Sequence, residues 1–106
     1  MRSYLKRNTV NLMRINNLRN YRIIVKGKVQ GVAYRFNTMI KAQELGLNGY
    51  VKNDYNGDVI VEAEGDEEAV NKLIDWCQVG PPKAIVSELF AEEISLKDYK
   101  AFEIKR

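Results

Sequence analysis

The sequence predicts an α+β fold in which two helices pack on one face of an antiparallel sheet, in the order βαββαβ, with a short extra strand at the C-terminus. Three features carry that expectation. Apolar residues alternate with polar ones early in the chain and recur at helical spacing in later segments, so the two periods take turns. An Asn56-Gly57 pair joins two strand-like runs with no helix between them, as in a hairpin. A chain of 106 residues, 45% apolar, suffices for one core and one domain.

Each element has its own signal. The run "YRIIVKGK" sets Tyr21, Ile23 and Val25 on one face of a first strand. A helix follows from about Ala33 to Leu45, with Phe36, Ile40 and the later Leu47 on its apolar side and Gly46 as its stop. "LNGYVKN" and "DVIVEAEG" are the second and third strands, joined through "NDYNGD", where a type I′ turn would give Asn56 and Gly57 positive φ. A second helix runs from Asp66 to about Gln78, with Val70, Leu73, Ile74 and Cys77 at i, i+3, i+4 and i+7, which puts Cys77 in the core. After Pro81-Pro82, "AIVSELFAEEI" makes the fourth strand and "AFEIKR" the short last one. The order is that of a ferredoxin-like sandwich. A right-handed crossover there leaves the first two strands parallel with the third between them, so both end at one edge of the sheet, about 10 Å apart. The loop "GKVQGV" follows the first strand and Asn53 closes the second, and the two face one pocket.

Charge and composition exclude much. The net charge of +3 is unevenly spread: residues 1–20 hold Arg2, Lys6, Arg7, Arg14 and Arg19 with no acid, and the remainder has 12 basic and 14 acidic residues. Residues 1–20 therefore read as a basic, flexible extension, and 21–106 as a mildly acidic domain, not expected to bind nucleic acid. An RNA-recognition module shares the element order but needs aromatic residues on its central strands, and "DVIVEAEG" has none. One cysteine and no histidine remove disulfide frameworks, Cys/His metal sites and imidazole-based triads. "CQVGPPK" lacks the arginine that a cysteine-phosphatase loop requires. No apolar run is long enough for a membrane span, so the expected place of action is the cytoplasm.

Within "GKVQGVAYR" a glycine loop leads into a helix N-terminus, whose amides lack intrahelical partners and favour an anion. Arg35 lies in the first turn, and helical side chains lean toward the N-terminus, so its guanidinium can fold back over the loop. Asn53 offers a donor and an acceptor without charge. Taken singly, each feature also fits a plain structural role: a strand-to-helix turn, a surface arginine, an Asx residue starting a hairpin.

In order and spacing, "GKVQGVAYR", "AQELGLNGYVKN", "NGDVIVEAEG" and "WCQVGPPKA" resemble the signature of the acylphosphatase family, over about residues 21–106. The resemblance implies hydrolysis of the carboxyl-phosphate bond of small-molecule acyl phosphates, with inorganic phosphate as product and inhibitor, and without metal, cofactor or covalent intermediate. It further implies that Arg35 binds the phosphate with the backbone of Gln30, Gly31, Val32, Ala33, Tyr34 and Arg35, and that Asn53 positions the attacking water. Tyr34 stands where the family usually has phenylalanine, and is expected to alter the pocket's rim. Ala33 stands where small residues are common. The carboxylate leaving group needs no general acid, so positioning and electrostatics suffice, and the proton passes to the substrate phosphate itself. A monomer is expected. The alternative is a non-catalytic, phosphate-binding regulatory domain.

Overall fold

In a computed structural model of the protein, residues 17–106 are described; the basic extension expected in residues 1–20 falls mostly outside them. Five strands and two helices follow the expected order: β1 (Leu18–Lys28), α1 (Tyr34–Glu44), β2 (Asn48–Asn53), β3 (Val59–Asp66), α2 (Glu67–Val79), β4 (Ile85–Ile94) and β5 (Phe102–Lys105). The strands form one sheet in the order β4-β1-β3-β2-β5. β3 lies antiparallel to both β1 and β2, so β1 and β2 run parallel on either side of it.

Alternation fixes which side of the sheet is buried. Ile23 and Val25 of β1, Val51 of β2, and Val59, Val61 and Ala63 of β3 are buried, and with Val70, Leu73 and Cys77 of α2 they make up the core between sheet and helices. Cys77 is fully buried, and loss of hydration pushes its thiol up to about 12. β1 begins at Leu18, earlier than the alternation of 21–28 suggests, because Leu18, Arg19 and Asn20 pair with Asp66, Gly65 and Glu64 of β3.

Three details depart from expectation. The buried side of α1 is Tyr34, Thr38 and Ala42, whereas Phe36 and Ile40 are exposed. The hairpin loop has five residues, Asp54–Asp58, and only Gly57 of the Asn56-Gly57 pair has positive φ, so the turn is not type I′; it closes through Asp54 N–H to Asp58 O (2.8 Å) and Gly57 N–H to Asp54 O (3.1 Å). The sheet is mixed, because β5 pairs in parallel with β2. β4 and β5 occupy opposite edges, so the seven residues between them must travel about four strand spacings, roughly 19 Å, and return the chain alongside β2.

That crossing segment is fastened by acids of β3. The Glu64 carboxylate accepts the amides of Lys97, Asp98 and Tyr99. Glu62, fully buried on the helix-free face, accepts from Arg22 Nη2 (2.7 Å), Lys97 Nζ (3.1 Å) and the Tyr99 hydroxyl. Burial alone would raise its pKa; the hydrogen bonds from Tyr99, Arg22 and Lys97 outweigh it and hold the carboxyl at about 2.

Candidate active site

The site grows from a row across three strands. Asn53 of β2 pairs with Val59 of β3, and Val59 pairs with Val25 of β1. Paired residues share a face, so Asn53 stands on the helix side of the sheet, about 10 Å from the β1 end from which the loop to α1 departs.

That loop is shaped by two left-handed residues on either side of Val32: Gly31 (φ 74°) and Ala33 (φ 63°, ψ 25°). Gly31 takes this conformation without cost, and space is open around it. Ala33 does so at some strain. Left-handed residues in a tight loop turn successive amides toward one side, as in anion-binding nests. α1 then starts with no side-chain cap and no acid in its first turn. Its first amides therefore keep their hydrogen-bonding capacity and the positive end of the helix dipole.

Tyr34 anchors this start. Its ring is buried 5.7 Å from the Trp76 ring, and its hydroxyl donates to Cys77 O at 2.6 Å, near the end of α2. Burial pushes that hydroxyl's pKa strongly up, so it stays a neutral donor. The Tyr34 hydroxyl thus points inward and binds the two helices together, so any effect of Tyr34 on the cleft comes from its ring. A Cβ at Gly80 would come within 2.5 Å of the Tyr34 ring, so the close approach requires glycine there.

Between α1, β2 and β5 lies a cleft of about 250 Å³, lined among others by Gly31, Arg35, Phe36, Asn53, Ile104 and Arg106. None of its lining residues is acidic, and none is a histidine or cysteine. Arg35 is half-buried and, among the described residues, makes neither an ion pair nor a hydrogen bond. The Asn53 Oδ1 is buried and likewise has no partner among them. A cation with no acidic partner among the described residues, uncapped amides and the uncharged Asn53 thus meet in one concavity, an arrangement suited to an anion.

Of the residues singled out in the sequence, Gly31, Ala33, Tyr34, Arg35 and Asn53 line this cleft, and Gln30 and Val32 do not. Val32 packs against the core, and the Gln30 side chain turns to the β2–β3 hairpin. Sequence reasoning missed Ile104 and Arg106. Alternation along β5 puts 102, 104 and 106 on one face, and pairing of Lys105 with Lys52 brings Arg106 level with Asn53, but only once the parallel β2–β5 ladder is known. Phe36 was assigned to the apolar side of the helix and is instead an exposed wall of the cleft.

The acylphosphatase family model matches residues 21–104. An acylphosphatase of Acaryochloris marina is 51% identical over 83 residues, covering 78% of this chain and 89% of that protein. Among solved structures, an acylphosphatase from Coxiella burnetii superposes with a TM-score of 0.83 at 40% identity, covering 87% of this chain and 97% of that one. One from Bacillus subtilis gives 0.81 at 37%, covering 84% and 99%. Cleft, fold and these likenesses agree: the chain belongs to the acylphosphatase family, and its reaction is the hydrolysis of acyl phosphates.

Proposed function

We propose that the cleft binds the phosphoryl group of a small-molecule acyl phosphate against Arg35 and the amides of the loop from Gly31 to Arg35, while Asn53 orients a water for attack on phosphorus. Water forms the new P–O bond, the bond to the acyl oxygen breaks, and the carboxylate leaves with its electron pair. One water proton passes to the transferred phosphate, giving inorganic phosphate. The observation that carries this reading is the coincidence, in one cleft without acidic side chains, of Arg35, which has no ion pair or hydrogen bond among the described residues, and the uncharged amide residue Asn53. An uncharged amide can accept from the water without repelling a dianion, and the guanidinium fork matches phosphoryl oxygens. Because little covalent chemistry is required, fixed dipoles and charge are enough to stabilise a loose transition state.

The reading includes no metal and no covalent enzyme intermediate; in its support, the cleft side chains offer arginines and an amide but no carboxylate, imidazole or thiol to ligate or attack. Inorganic phosphate, as product, competes for the same amides. A single buried free cysteine supports action in the cytoplasm; no helix among the described residues is long and apolar enough to cross a membrane.

The test is turnover of benzoyl phosphate in EDTA, with p-nitrophenyl phosphate as control. Rapid hydrolysis of the acyl phosphate alone is expected. Dependence on an added divalent cation would contradict the proposed mechanism, and a folded protein that binds phosphate without turnover would contradict the assignment of catalysis to this cleft.

A further inference from the structure

The two halves of the cleft are joined at an unexpected point. The β1–β3 ladder ends at Val25–Val59, and beyond it β1 remains paired only with β4, through a bulge at Lys26–Gly27. Past that ladder, the loop that carries the anion-facing amides and the hairpin that follows Asn53 have no backbone hydrogen bond between them among the described residues. The Gln30 side chain supplies the polar link: its Nε2 donates to Asp54 O at 2.7 Å and to Asp58 O at 2.9 Å. These are the two residues that close the hairpin mouth, and Asp54 directly follows Asn53. The hairpin end is held in turn from β1, where Lys26 Nζ donates to Asp58 Oδ2 at 2.7 Å. The carboxamide spends both N–H groups on this bridge, a pattern that neither a carboxylate nor a hydroxyl can reproduce.

We propose that Gln30 is a positioning residue, whose side chain fixes the distance between the phosphate-facing loop and Asn53 and so keeps water and phosphorus in line. The inference rests on the reading of the cleft given above. In-line attack tolerates little displacement, and a shift of about 1 Å can cost up to about a hundredfold in rate. Gln30 acts through Asn53, so its removal matters only while Asn53 is present to be misplaced.

The experiment is a double-mutant cycle on the full chain with benzoyl phosphate, reading kcat and the inhibition constant of inorganic phosphate for wild type, Gln30→Ala, Asn53→Ala and the double variant, with circular dichroism to confirm folding. Gln30→Met, close in volume, repeats the cycle with packing preserved. Expected are a fall in kcat of at least about tenfold for either Gln30 variant, phosphate inhibition within about threefold of wild type, and little further fall in kcat on the Asn53→Ala background. The same loss on both backgrounds, or no loss on the wild-type background, would overturn the proposal while leaving the Asn53 assignment standing. Wild-type turnover in Asn53→Ala would remove the proposal together with its foundation.

Discussion

The two helices of this small domain begin in opposite ways. α2 starts with Asp66, whose carboxylate accepts Glu68 N–H at 3.1 Å, and has Glu67 and Glu68 in its first turn, so its amides and dipole are answered from within. α1 starts at a left-handed Ala33 with no side-chain cap, no acid, and Arg35 added to the positive end. The arginines repeat the contrast. Arg22 is tied to the buried Glu62, whereas Arg35, also only half-exposed, has no acidic partner among the described residues. One set of charges is settled by folding, and the other, under the proposed function, is kept for the phosphate. On that reading stability and function lie in different places, and each is expected to be disturbed with little effect on the other.

The largest expected effect comes from Arg35→Gln. Loss of a preorganised charge contact should raise the barrier by about 3–4 kcal/mol, two to three orders of magnitude in kcat/KM, and weaken phosphate inhibition. Since no ion pair is broken, Tm should stay within about 2 °C of wild type. Full activity would show that the open helix start is not where the phosphate binds.

Glu62→Gln should do the reverse, lowering stability by about 2 kcal/mol and Tm by about 10 °C with kcat nearly unchanged. The pH dependence has a definite sign. The native carboxyl lies at about 2, below its unfolded value, so its contribution is complete above that value and is lost as pH falls toward 2. Urea titrations from pH 6 down to pH 2 should show wild type and Glu62→Gln converging; a constant gap would assign the difference to packing.

The smallest effect is at the answered helix start. Asp66→Ala removes a cap worth about 1 kcal/mol and should lower Tm by about 4–8 °C, with kcat and KM unaltered. A change in KM comparable to that in Arg35→Gln would break the separation between the two helix starts.

Much of this arrangement was legible in the sequence, for physical reasons. Strand alternation and the β1–α1–β2 order brought the loop and Asn53 to one sheet edge, because a right-handed crossover leaves few other topologies. The α1 stripe misled because its buried side uses Thr38, whose hydroxyl bonds Tyr34 O at 2.7 Å, and the small Ala42, while the bulky Phe36 is spent on the cleft wall. The Asn-Gly signal found the hairpin but not its five-residue loop, whose end carbonyls are fixed by Gln30 from another element. Nothing local in residues 95–106 specified which edge β5 would join, so Arg106 could not be placed beside Asn53 until the β2–β5 pairing was known.

The most direct measurement of the central claim, that binding and water placement are divided between two residues, is inorganic-phosphate affinity alongside benzoyl phosphate turnover in Arg35→Gln, Asn53→Ala and Asn53→Asp. The account predicts that turnover falls in all three, that Asn53→Ala keeps phosphate affinity near wild type, and that Asn53→Asp and Arg35→Gln lose it, one by bringing a carboxylate to a dianion and the other by removing its cation. Equal phosphate affinity in all three variants would contradict it.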